Sequence, residues 1–313
     1  MSGIPNTVAA VWPEVKPGRL AAALRQGSSE GCRCALLGLP DDLGVQLNGG
    51  RTGAREGPRA FRTALARFGL PWDGLNEQSI DVGIFDAGDV EPAPGTDEAA
   101  LLETHRRVEA AVRALQERGL VTVCVGGGHD LTLPAARAAA HVHGGLGGIN
   151  FDAHTDVRAR VGSGMAFRRL LEGGQLEGDR FAEVGLGRFV NDRADLDWVR
   201  SRGATLRFAE TDLLEGLEPK SLLDLACRGG RAFVSIDIDG IDQNAAPGVS
   251  APAPLGLPVR DALRLAEAAG LRKQIIHFDL MEFNPSHDVD GRTARVLCLL
   301  FLQFLAGLAR RAT

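Results

Sequence analysis

The sequence predicts an α/β protein built on a parallel sheet, with helices covering both of its faces. Three observations lead there. Short apolar runs alternate with longer stretches whose apolar residues recur at helical spacing, the signature of β and α units in succession. The polar residues with unusual chemistry follow directly after apolar runs, where the carboxyl ends of parallel strands gather ligands. A chain of 313 residues with 44% hydrophobic content can bury a large core, and residues 1–313 read as one domain.

Eight strands are expected, near Cys34–Pro40, Ile80–Phe85, Val121–Val125, Gly148–Asp152, Phe181–Gly185, Thr205–Phe208, Ala232–Ile238 and Gln274–Leu280. Segments such as Asp97–Arg118 supply the helical layers that cover the sheet. The longest apolar run, Val296–Leu308, is broken by Gln303 and falls short of the roughly 18 residues that cross a bilayer. It reads as a buried helix.

A net charge of -5 and a pI near 5.8, with no Lys/Arg block, give no electrostatic footprint for nucleic acid or an anionic membrane. Neither is expected as a partner. The first residues show no basic region followed by an apolar one, so no secretory signal is expected. Five scattered cysteines without a CxxC pair read as reduced thiols, which points to the cytoplasm.

Four strand ends carry the chemistry: GGGHD (Gly126–Asp130), NFDAHTDVR (Asn150–Arg158), SIDIDGID (Ser235–Asp242) and MEFNP (Met281–Pro285). Asp152, His154 and Asp156 alternate, and a strand turns every second side chain the same way, about 6–7 Å apart. Asp237 and Asp239 repeat the device. Carboxylates crowded in this way repel one another unless something neutralises them, and two divalent cations carry the matching charge. With His129, six side chains are available for two ions. A lone Asp-x-His-x-Asp is more often a strand-end cap than a metal site; the joint occurrence argues for metal. His105, His141, His143, His277 and His287 lack such company and read as surface or satisfied core histidines.

GGGHD, DAHTD and SIDIDGID resemble the three metal motifs of the ureohydrolase superfamily, which includes arginases, agmatinases and formimidoylglutamases. The similarity covers nearly the whole chain. It implies an arginase-like three-layer α/β/α sandwich with an eight-stranded parallel sheet and two Mn2+ per subunit. Oxygen and imidazole donors are compatible with that metal. It also implies the ligand set His129, Asp152, His154, Asp156, Asp237 and Asp239, and a homo-oligomer, either trimer or hexamer. GVQLNGGRTGAREGPRAFR (Gly44–Arg62), the Arg of DAHTDVR, APGVSAPAPLGL (Ala246–Leu257) and NPSHDVDGRTAR (Asn284–Arg295) resemble the formimidoylglutamase branch. That branch cleaves N-formimino-L-glutamate to L-glutamate and formamide in histidine degradation. Arginases carry a proton-shuttling His where this chain has Phe167, and agmatinases a His where it has Ser163. Met165-Ala166 and Gln243 also depart from the usual branch pattern.

The resemblance assigns roles. A metal-bridging hydroxide is expected to attack the amidine carbon, Asp156 to carry its proton, and Glu282 to grip the amidinium. Glu282 could instead cap a helix beginning at Asn284-Pro285. The substrate's carboxylates call for cations and donors: Arg158 first, then Ser163, Arg168, Asn191 and Arg51. For an arginine, the alternative is a surface ion pair. A close relative acting on a guanidino acid such as guanidinobutyrate, an agmatinase or an arginase is the competing enzyme class. A non-catalytic metal-binding relative is a different class, and a nucleotide-binding oxidoreductase lacks its glycine fingerprint.

Overall fold

The computed structural model describes residues 3–69 and 72–311. Its strands are β1 (Thr7–Val8), β2 (Cys34–Leu39), β3 (Trp72–Asp73), β4 (Gln78–Ser79), β5 (Ile84–Val90), β6 (Val121–Gly126), β7 (Leu146–Phe151), β8 (Leu176–Leu186), β9 (Thr205–Phe208), β10 (Ala232–Asp237) and β11 (Ile275–Met281). Nine form one sheet in the order β1-β5-β2-β6-β11-β10-β7-β8-β9. Eight of them run parallel, as expected. The ninth, β1, is a two-residue edge strand antiparallel to β5, too short to show a pattern in sequence. The small β3-β4 pair was likewise not anticipated.

The helices are α1 (Leu43–Leu47), α2 (Gly57–Leu65), α3 (Glu98–Glu117), α4 (Thr132–His143), α5 (Ala166–Glu172), α6 (Arg193–Ser201), α7 (Ala209–Glu215), α8 (Pro219–Ala226), α9 (Val259–Leu271) and α10 (Arg292–Ala309). Side-chain alternation along the strands feeds two cores. Val121, Val123 and Val125 face the core under α2, α8, α9 and α10, whereas Cys124 joins the core under α3 and α4. The result is three layers, α/β/α. Helix α3 fills the expected segment, with Asp97 as its N-cap accepting from the Ala100 N–H at 2.9 Å. Helix α10 has the length and hydropathy of a membrane span, yet it is packed against α9 and α2, with Phe278 stacked on Phe304 at 4.4 Å.

One strand lies later than expected. The Ile80–Phe85 run enters the core at Ile80 and Val82, but Gly83 turns at φ 56° and pairing starts only at Ile84. Beyond it, Asp86 and Asp89 disguise the strand as a loop. Buried Arg62 neutralises both, at 3.0 and 2.5 Å.

The strand order contains a reversal that matters for function. The chain leaves β6, lays β7, β8 and β9 two places away, and returns to fill the gap with β10 and β11. Such a switch point opens a crevice beyond the carboxyl ends of its strands. The adjacent strands β6, β11, β10 and β7 are the ones that lead into GGGHD, MEFNP, SIDIDGID and DAHTDVR.

Candidate metal centre

Backbone detail aims these segments inward. After β6, a Cβ on Gly127 would lie 1.8 Å from the Asp41 carbonyl oxygen, so only glycine lets the turn fold against that loop. The turn delivers His129 with 1% of its surface exposed. Asp156 and Glu282 hold left-handed φ values of 46° and 63°, strain of the kind that concentrates at functional sites.

His129 Nδ1 faces three carboxylate oxygens: Asp156 Oδ2 at 2.9 Å, Asp237 Oδ2 at 3.0 Å and Asp152 Oδ2 at 3.3 Å. None is aligned as a hydrogen bond, so this buried nitrogen is left without a partner. The four donor groups lie within 4.8 Å of one another. The second oxygen of Asp152 stands 3.3 Å from His154 Nδ1, so Asp152 lies between the two imidazoles. Asp239 completes the group on the pocket side, its carboxylate accepting from the Ala251 N–H at 3.1 and 3.2 Å.

The electrostatics ask for cations. Burial, then the charge of Asp152, pushes Asp237 up to about 7. Burial, Asp237 and Glu282 hold Asp239 well above the usual carboxylate range. Burial and Asp237 push Glu282 up to about 8. Burial opposes charging of His129 and His154, but the surrounding aspartates outweigh it, raising His129 well above its ordinary value and His154 to about 9. Asp152 alone is held low, because the two histidines outweigh its burial. A divalent ion among these oxygen and imidazole donors would replace the missing positive charge and meet the orphaned Nδ1. The donor set fits.

A polar file orients His129 from behind. Its Nε2–H donates to Ser235 Oγ at 2.9 Å, so that in the neutral ring Nδ1 carries the lone pair that would meet a metal ion. The Ser235 hydroxyl donates to Asp279, which also accepts from Thr132 at 3.0 Å and from His277 Nε2 at 3.0 Å. His277 Nδ1 accepts from Thr122 at 2.8 Å. The Gln116 amide donates to the Thr122 oxygen at 2.8 Å, and His143 ends the file 2.8 Å from Gln116 Oε1. His277 is thus a satisfied core histidine. His105 is another, 2.7 Å from Asp130.

In front of the donor group lies a cavity of 160 Å3, lined by His154, Asp156, Asp237, Asp239 and Glu282 and also by Arg158 and Ser163. Glu282 sits at one wall, one oxygen accepting from the His129 N–H at 2.8 Å and the other from Ser250. It caps no helix, since Asn284 caps the short turn that follows. Arg158 is exposed at the rim, with no ion-pair partner among the described residues.

Three expected substrate contacts lie elsewhere. Arg168 pairs with Glu172 at 2.9 Å and stacks over Trp198, which engages its guanidinium on the outer surface. Asn191 uses its amide to pin backbone, accepting from the Thr155 N–H at 3.0 Å and donating to the Ala153 and Gly187 carbonyls. Arg51 donates to the Val249 and Ser250 carbonyls and so braces the loop that carries Ser250. Phe167 does not enter the cavity either. It is buried, with its ring edge on His129 and its face on Phe181.

Two lining residues were missed. Asn48, 2.8 Å from Ser163, presents its oxygen to the Ser163 hydroxyl and the Ser163 and Gly164 N–H groups when its amide is turned to satisfy them. Ser250 holds Glu282. Glycine-rich surroundings at Asn48-Gly49-Gly50 were the one available signal for the first; Ser250 had none.

A profile of the arginase family matches residues 32–307. The guanidinobutyrase of Pseudomonas aeruginosa is 32% identical over 88% of this chain and 88% of its own length. A formimidoylglutamase of Aromatoleum aromaticum is 35% identical over 88% of this chain and 83% of its own. The crystal structure of Trypanosoma cruzi formiminoglutamase with Mn2+ superposes with a TM-score of 0.87 at 31% identity, over 94% of this chain and 99% of that one. With the switch-point crevice and its Asp/His cluster already in place, this coverage along both sequence and fold makes the chain a member of the arginase family.

Proposed function

We propose that the chain is a formimidoylglutamase, a manganese hydrolase that cleaves N-formimino-L-glutamate to L-glutamate and formamide. The observation that carries the reading is the make-up of the 160 Å3 cavity, which Glu282, the unpaired Arg158 and the metal-binding side chains line together. A substrate with an amidinium at one end and a carboxylate at the other matches that set of groups. Glu282 faces the amidinium through charge-assisted hydrogen bonds, each contributing about 1.5–3 kcal/mol. Arg158 meets a carboxylate with its planar fork. The Asn48 amide nitrogen adds a donor, its oxygen being taken up by the Ser163 hydroxyl and N–H.

His129, Asp152, His154, Asp156, Asp237 and Asp239 would hold two Mn2+ per subunit. Metal ions so placed bring the pKa of bound water near neutrality and supply a nucleophile at physiological pH. Asp156 takes the proton released as the water oxygen bonds to the amidine carbon. It passes that proton to the glutamate nitrogen as the C–N bond breaks, and formamide leaves. The whole chain acts as one catalytic domain, assembles as a homo-oligomer, and works in the cytoplasm, where its five free cysteines stay reduced.

One observation favours a second reading, hydrolysis of a guanidino acid to urea. Arg158 is the one arginine lining the cavity among the described residues, enough for a monocarboxylate such as guanidinobutyrate. Formiminoglutamate leaves its second carboxylate to the Asn48 amide nitrogen. The test is a substrate panel with Mn2+-loaded protein and identification of the small product. Formamide from formiminoglutamate is expected; urea from guanidinobutyrate at higher kcat/KM would replace the first reading with the second.

A further inference from the structure

At the amino end of the sheet, opposite the metal centre, lies a second hollow of 370 Å3. Arg33, Arg231, Lys273 and Arg311 line it, together with Gln116 and His143, and no carboxylate does so among the described residues. The four cations come from separate places in the sequence: the start of β2, the start of β10, the turn before β11 and the end of α10. The fold has gathered them.

Arg311 is only 9% exposed, and its hydrogen bonds go to the carbonyls of Gly270, Ala269 and Ile275. Burial, then the charge of Arg33, pushes its guanidinium down to about 10. Burial and Arg231 also hold His143 below its ordinary value. In both, burial is the larger cause and a neighbouring arginine adds to it. Closing the end of α9 accounts for Arg311's carbonyl contacts, but it does not account for Arg33 and Lys273. Neither side chain has a hydrogen-bond or ion-pair partner among the described residues. Glu177 in the adjoining hollow is taken up by Arg180 at 3.0 Å.

We propose that this hollow binds a small, multiply charged oxyanion, such as the phosphate or carboxylate groups of a metabolite. Like charges brought this close repel, and an anion between them removes the repulsion while forming charge-assisted hydrogen bonds. The Gln116 amide and His143 Nε2–H are already bonded to each other and to Thr122 and Ile276, so the four cations supply the binding. The site is separate from the cavity described above and does not depend on the substrate assigned to it.

Equilibrium dialysis of the metal-loaded protein against radiolabelled sulfate, with ionic strength held constant by chloride, tests this. One saturable site per chain is expected. The Arg33→Ala/Lys273→Ala pair should weaken it at least about tenfold, as should Lys273→Glu alone at its exposed position. Arg158→Ala at the other end should leave it unchanged. No saturable binding, binding indifferent to Arg33 and Lys273, or binding lost with Arg158→Ala would each overturn the proposal.

Discussion

The two ends of the sheet carry opposite electrostatic problems. At the carboxyl end of β6, β11, β10 and β7, four aspartates and Glu282 crowd around two histidines. At the amino end, four cations line a hollow that no carboxylate lines among the described residues. Both ends store like charge, yet they come from different sources. The acidic end is built by the short segments that follow single strands: β7 ends at Phe151 and β10 at Asp237, and the loop and 3-10 turn beyond them bring Asp152 and Asp156, or Asp237 and Asp239, together by local geometry. The basic end is assembled from single residues distant in sequence. Local geometry makes the first a rigid donor set; long-range assembly makes the second a charged hollow with freer side chains.

The largest effect should come from breaking the acidic end. Asp239→Asn keeps the shape and removes a charge, and we expect kcat/KM to fall on the order of 10³-fold with loss of about one bound Mn2+ per chain, measured by turnover and metal analysis. Ordinary turnover at full metal content would remove Asp239 from the centre.

Arg158 comes next. Arg158→Ala should lower kcat/KM for formiminoglutamate by on the order of 10²-fold, about 2.7 kcal/mol, with metal content unchanged and Arg158→Lys intermediate. Arg158 is exposed in the free protein, so this figure rests on substrate covering it; a merely exposed pair contributes below about 1 kcal/mol. A simple amidine without carboxylates should lose little. Equal loss on both substrates would make Arg158 a support of the loop instead of a reader of carboxylate.

The third effect is on stability. Asp237 at about 7, Glu282 at about 8 and His154 at about 9 bind protons more tightly folded than unfolded. Their stabilisation is full below the unfolded pKa values and is lost as pH rises through the folded ones. Asp152 shifts the other way, and its contribution is already complete at neutral pH. Chelator-treated protein should therefore melt a few degrees lower at about pH 9 than at about pH 6, and Mn2+ should restore more at the higher pH. A melting temperature that rises over that interval would contradict the charge balance assigned to this end.

What could be read from sequence divides along the same line. The eight parallel strands and the chemistry-bearing strand ends were legible because periodicity and apolar runs are local. The departures were long-range. Arg62 reaches across to Asp86 and Asp89 and turns an acidic segment into β5; Asn191, which read as a substrate contact, holds the backbone of the DAHTD loop instead. Ser250 meets Glu282 across 32 positions of sequence. The file behind His129 was invisible for the same reason. It runs through Ser235 paired with Asp279, and Thr122 paired with His277, neighbours only once β10, β11 and β6 lie side by side.

That file also decides whether the two ends communicate. From the metal side, His129 donates to Ser235, and Ser235 to Asp279. From the basic side, Gln116 donates to Thr122, Thr122 to His277, and His277 to Asp279. The donors converge on one buried carboxylate, so Asp279 is an anchor for both halves and the file does not conduct a proton from end to end. The halves should then fail separately. Ser235→Ala removes the acceptor that fixes the His129 tautomer and should weaken Mn2+ affinity by about tenfold, at the low end for partners behind a metal ligand. Thr122→Val removes the hydroxyl from the other half, leaves His277 without its donor, and should cost about 1–3 kcal/mol of stability with Mn2+ affinity unchanged. Calorimetric Mn2+ titrations of both variants, beside their melting temperatures, measure the two effects independently. If Thr122→Val weakens Mn2+ binding as much as Ser235→Ala does, Asp279 transmits rather than anchors, and the acidic and basic ends form one coupled system.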